Sequence, residues 1–118
     1  MLFFHMTRIK AEIIGDIWID DVYARGPSVP PIGYFIPDKR YYFVYEFEVP
    51  PDTPSWGTEF TTDFFIDGVV VNSQGFLPGA TNGKNYGVYY TTFTKEGEYL
   101  IEIRGKNKKQ LKVVVKKN

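Results

Sequence analysis

Lys39-Arg40-Tyr41-Tyr42-Phe43-Val44-Tyr45-Glu46-Phe47-Glu48-Val49 is the stretch that decides the fold. Tyr41, Phe43, Tyr45, Phe47 and Val49 fall on one side of an alternation, and Tyr42, Val44, Glu46 and Glu48 on the other. A period of two is the side-chain alternation of a β-strand, and a helix would scatter these five residues around its axis. Prolines 27, 30, 31 and 37 precede the run and prolines 50, 51 and 54 follow it. Proline cannot donate to a central ladder, so the two clusters bracket one clean strand and mark two irregular loops.

Working outward, the same alternation recurs. Phe60, Thr62, Phe64 and Ile66 face one way and Glu59, Thr61 and Asp63 the other. Tyr99, Ile101 and Ile103 alternate with Leu100, Glu102 and Arg104, and Leu111, Val113 and Val115 with Lys112, Val114 and Lys116. Ile9, Ala11 and Ile13, then Ile17 and Ile19, alternate before the long run, with Gly15-Asp16 between them. Asp67-Gly68 between two apolar runs signals a two-residue hairpin, because both central residues of a type I′ turn need positive φ. Asn82-Gly83 is a second such pair. No segment carries a helical period with caps. The pattern predicts strands at 8–14, 17–24, 39–49, 58–66, 69–72, 85–93, 98–104 and 110–116. The expected fold is all-β: an immunoglobulin-like antiparallel β-sandwich of seven to eight strands, with a small β-barrel as the competing architecture. Residues 1–7 are expected as an N-terminal extension and 8–118 as one domain.

Composition narrows the function. The 118 residues include no Cys, which excludes disulfide scaffolds, zinc fingers and thiol enzymes. The single His5 lies near the chain start, and the three serines, 28, 55 and 73, stand outside any nucleophile elbow. No phosphate-binding glycine loop is present. The chain is therefore expected to be no enzyme and to carry no cofactor and no metal. Asp63 and Asp67 read as a solvated strand face and a turn-forming residue rather than a catalytic or calcium-binding pair. No signal peptide and no membrane-spanning run is apparent, and the compartment is left unassigned. Net charge is zero, but residues 101–118 hold seven basic side chains against Glu102 alone. Lysines on a last strand protect an edge from pairing with other chains. Without interleaved aromatics they give little reason to expect nucleic acid.

The order of signals carries a resemblance. Phe65-Ile66-Asp67-Gly68, then Leu77-Pro78-Gly79, then Gly97-Glu98-Tyr99-Leu100-Ile101-Glu102-Ile103 resembles the pattern of CARDB-type cell-adhesion-related domains over residues 17–116. Pro50-Pro51-Asp52-Thr53-Pro54 departs from the family's asparagine-rich turn. Gly97-x-Tyr99 is also similar to the tyrosine corner of immunoglobulin-like folds. The resemblance implies a non-enzymatic binding or structural module, in a surface, adhesion or virion assembly.

In that topology the loops 50–57, 73–84 and 105–109 cluster at one end. The expected contact surface is Trp56, Phe76, Leu77, Asn82, Lys106, Lys108 and Lys109. A protein partner or self-association is expected. Two other readings stand beside it: a carbohydrate-binding module using Trp18, Trp56 and tyrosines as coplanar platforms, and an inhibitor or regulator presenting the rigid loop 50–57. Aromatics within strands, and Tyr34-Phe35, read first as core.

Overall fold

The computed structural model describes residues 7–20, 35–50, 53, 57–77 and 83–117. They form eight strands: β1 (Thr7–Lys10), β2 (Glu12–Asp20), β3 (Arg40–Val49), β4 (Thr58–Ile66), β5 (Val69–Phe76), β6 (Gly83–Thr92), β7 (Gly97–Arg104) and β8 (Lys108–Val115). β3 is the centre of a three-stranded sheet, β2-β3-β6, antiparallel on both sides. The second sheet runs β5-β4-β7-β8, with β1 parallel to the first half of β4. The strands divide into two sheets packed face to face, so the architecture is a sandwich and not a closed barrel. No helix among the described residues is long and apolar enough to cross a membrane.

The inward face of β3 makes the core. Tyr41, Phe43, Tyr45, Phe47 and Val49 are all buried, against Phe60 and Phe64 of β4, Ile101 and Ile103 of β7, and Val113 and Val115 of β8. Phe35 is also core, stacked on Tyr41 at 4.2 Å between ring centroids. It is tied to the end of β8 by its amide on the Val114 carbonyl at 2.7 Å. One polar chain crosses the two sheets. The Tyr45 hydroxyl donates to Gln74 Oε1 at 2.9 Å and lies 2.6 Å from Thr62 Oγ1, which leaves the threonine as donor to the tyrosine. Gln74 Nε2 then donates to the Val88 carbonyl at 2.8 Å.

Several sequence expectations meet the structure directly. Asp67 and Gly68 have φ of 50° and 79°, as a type I′ turn requires. The Tyr99 hydroxyl donates to the Lys95 carbonyl at 2.7 Å, making the corner that Gly97-x-Tyr99 suggested.

Others are corrected. The first strand does not break at Gly15-Asp16. It breaks at Ala11, where the chain passes from one sheet to the other. The Ala11 amide bonds the Thr61 carbonyl at 3.0 Å, and its carbonyl accepts from the Lys106 amide at 2.7 Å. Gly15, at φ 68°, instead opens a bulge inside one continuous strand, so the three residues between Ile14 and Trp18 lie opposite one residue of β3. β5 outlasts its valines and runs to Phe76, because Asn72–Phe76 keep pairing with Phe60–Phe64. The expected positions 21–24 lie outside the described residues.

The turn after β7 locks the strand switch. Asn107 Oδ1 accepts from the Ile13 amide and Nδ2 donates to the Ile13 carbonyl, both at 2.8 Å. A Cβ added at Gly105 would stand 2.0 Å from the Ala11 carbonyl oxygen, a backbone atom already held by Lys106. Gly105→Ala is expected to cost about 1–3 kcal/mol by forcing the turn off β2, read as a lower urea midpoint with unchanged slope.

Burial pushes the Tyr45 hydroxyl up to about 12 from its ordinary value of 10. The folded state therefore holds this proton more tightly than the unfolded chain. The stability it contributes is complete below pH 10 and is lost as pH rises through about 12. Tyr45→Phe strands Thr62 and Gln74 and is expected to cost about 1–3 kcal/mol at pH 7. The gap to the wild type should narrow above pH 10 in denaturant titrations; a constant gap would contradict the assignment.

Candidate functional site

The strand directions place the two halves of the expected contact surface. Phe76 ends β5 where it pairs with Phe60, with Leu77 next, and Gly105–Asn107 meet Ala11 and the start of β2 at Ile13. A small cavity of about 110 Å³ opens at this end between Ile9, Phe60 and Pro50, rimmed by Glu12, Glu48 and Lys106. Leu77 is 62% exposed. Phe76 is half-buried, its ring 4.3 Å from Phe47. The three lysines are not brought together. Lys106 lines the end cavity. Lys108 pairs with Arg104 on the outer face of the five-stranded sheet. Lys109, opposite Ile103, shares the inward-facing row of Leu111 and Val113 and is half-buried. Trp56 and Asn82 lie outside the described residues.

The structure reveals a second surface. On the outer face of the three-stranded sheet, in-register rows set Trp18 beside Val44 and Val88, Ile14 beside Glu46 and Tyr86, and Tyr42 beside Tyr90. Trp18 meets Tyr86 edge-on at 5.8 Å and 77°, and Tyr42 lies 5.8 Å from Tyr90 at 49°. The Arg40 guanidinium stands 4.8 Å over the Tyr90 ring. Val44 faces away from the core yet is 0% exposed, in the row between Trp18 and Val88. Tyr86 and Tyr90 remain exposed, at 38% and 56%. The indole Nε1 of Trp18 is buried with no acceptor among the described residues. Glu12, Glu46 and Glu48 flank the patch on the same face, against Lys84 and Arg40.

Sequence reasoning marked Trp18 as an outward candidate and missed its neighbours. Tyrosines in strands read as core by default, and the rows Tyr42–Tyr90 and Glu46–Tyr86 exist only once β3 and β6 are paired in register.

The outer face of the five-stranded sheet is charged and satisfied by its own members. A shallow groove of about 380 Å³ crosses it. Its carboxylates are taken: Arg8 pairs with Glu59 at 3.2 Å, and Lys10 with Asp63 at 2.8 Å. Hydrogen bonding from Lys10, reinforced by Ser73, holds the Asp63 carboxyl below its usual range against a modest opposing effect of burial. Asp67 serves its turn, accepting from the Leu100 amide at 2.7 Å. Buried Glu102 accepts from Gln110 at 2.6 Å and pairs with Arg104, and these bonds hold its carboxyl low.

Two sheets in this strand order, with a tyrosine corner, define an immunoglobulin-like β-sandwich. Among solved structures, the chain is similar to the CARDB domain of the PF1109 protein from Pyrococcus furiosus, crystallised in complex with di-metal ions. The TM-score is 0.58 over 92% of this chain and 96% of that domain, at 14% identity. The solution NMR structure of the same domain gives a TM-score of 0.54 over 91% and 96%, at 15% identity. No family model and no curated protein sequence matches the chain. The likeness is one of fold, and the fold is the CARDB-like sandwich that the hairpin and the Gly97–Ile103 run suggested.

Proposed function

We propose that this chain is a non-enzymatic protein-contact module that binds a partner through the outer face of its three-stranded sheet. The observation that carries this reading is the cluster of Trp18, Tyr42, Tyr86 and Tyr90 around Val44 on a face that packs against nothing else among the described residues. Tyr, Trp and Arg are the side chains that concentrate binding energy at interfaces. The flanking glutamates favour a partner with basic residues. The rings are tilted by 49° and 77°, which suits side chains that interdigitate better than the flat face of a sugar.

Two further features favour binding over catalysis. Ser73, Asp63, Asp67 and Glu102 are each committed to a structural hydrogen bond. Among the described residues, moreover, no three of His, Cys, Asp or Glu converge.

The loop end is a second surface for the same role, favoured by the exposure of Leu77 beside the small cavity. One experiment separates the two. The purified chain is used to capture partners from extracts of its source cells, as wild type, as Tyr86→Ser/Tyr90→Ser and as Trp56→Ala/Phe76→Ala. Loss of about tenfold or more in apparent affinity is expected for the tyrosine pair, with unchanged circular dichroism because both rings are exposed. Loss confined to the Trp56/Phe76 variant would move the site to the loop end. Retention on a glycan array that depends on Tyr86 and Tyr90 would replace the protein partner with a carbohydrate.

A further inference from the structure

Open sheet edges are templates for pairing with another chain, and folded proteins guard them. Of the five edge strands among the described residues, four are guarded: β1 is only four residues long and carries Arg8 and Lys10. β8 carries Lys108, Lys109 and Lys112, and its end is closed by the bridge from Phe35 to Val115. β2 is capped at Ile13 by the Asn107 side chain. The edge of β6 has its Val88 carbonyl taken by Gln74. β5 is different. Among the described residues it pairs only with β4. It lies within residues 68–83, which contain no Asp, Glu, Lys or Arg, although 24% of the chain is charged. A bulge at Val71 twists the first residues of β5, but Asn72–Phe76 run in unbroken register with β4 and keep a regular edge.

We propose that β5 is a homodimer edge: two copies of this chain add strand to strand, antiparallel about a two-fold axis at Gln74. A second copy is the occupant that the charges select. Pairing β5 with β5 sets an uncharged strand against an uncharged strand, whereas pairing with β8 buries lysines against valines and leads to open-ended growth. A net charge of zero removes long-range repulsion between copies. A register centred on Gln74 places Val71, 41% exposed, opposite Leu77 of the mate, 62% exposed, on both sides of the axis. The product is one continuous sheet across two sandwiches. The inference rests on the reading of the chain as a contact module but uses a different surface, so the aromatic face stays free in the dimer.

The test is sedimentation equilibrium of the full chain up to about 1 mM, the weak limit of measurable association. A species of twice 13.6 kDa is expected. Val71→Lys and Leu77→Glu should each weaken it by about tenfold or more. Mixing the two variants should restore it, because the introduced ammonium of one copy then faces the introduced carboxylate of the other across the axis. Amide exchange over Val69–Phe76 should slow on association. Val70→Lys, at a 52% exposed position, repeats the single-variant arm of the test if Val71→Lys fails to fold. Any of three results would overturn the proposal: a monomer at every concentration, single variants that associate as tightly as the wild type, or single variants weakened with no recovery on mixing. Dimer loss in Tyr86→Ser/Tyr90→Ser with Val71→Lys intact would likewise overturn it, by assigning self-association to the aromatic face.

Discussion

Everything in this molecule depends on covering one face of β3. Five consecutive inward side chains, four of them aromatic, are at most 2% exposed. Burying each contributes roughly 1.5–3 kcal/mol, so together they match the net stability of an ordinary domain. No disulfide shares the task. A strand with this face cannot sit at an edge, and β2 and β6 flank it along its length. Nor can its sheet stand alone, and the second sheet brings Phe60, Phe64, Ile101 and Ile103 to meet it. Apolar contact fixes that the sheets pack, but tolerates sliding. The Tyr45 hydroxyl removes the freedom, because only one placement brings it to both Thr62 and Gln74 while Gln74 reaches Val88.

How far this was legible in the sequence follows from which interactions are local. The alternation of Tyr41–Val49, the Asp67-Gly68 turn and Gly97-x-Tyr99 each depend on residues a few positions apart, and each is visible in the chain. The strand switch at Ala11 is not. It is decided by Thr61 and Lys106, far along the sequence, whereas Gly15-Asp16 offers a stronger local break signal and yields only a bulge. The extension of β5 is hidden for the same reason: Ser73-Gln74-Gly75 falls in the expected loop 73–84 and is held straight by its pairing with β4.

The candidate site shows the same division more sharply. Loop residues stand out in a sequence because they interrupt a pattern, and this favours Trp56, Leu77 and the lysines. Yet Lys106, Lys108 and Lys109, close in sequence, fall on three different surfaces once the turn and β8 are formed. Tyr86 and Tyr90 are hidden inside a strand, where aromatics usually mean core. Only the pairing of β6 with β3 shows that their row lies outside, beside Tyr42 and, through Tyr86, against Trp18.

The zero net charge takes on meaning in this geometry. The outer face of the five-stranded sheet spends its charges on itself: Arg8 with Glu59, Lys10 with Asp63, Arg104 with Glu102. The exposed pairs among them, those of Arg8 and Lys10, add little stability, but all three leave the face polar. The opposite face carries aromatics with a surplus of glutamates, and between the two runs β5 with no charge at all. Had the charges been spread evenly, each surface would repel association by desolvation alone. Segregating them leaves one face inert and two surfaces with low desolvation cost. The aromatic outer face of the three-stranded sheet and the uncharged β5 are the two surfaces on which the proposed contacts with other chains rest.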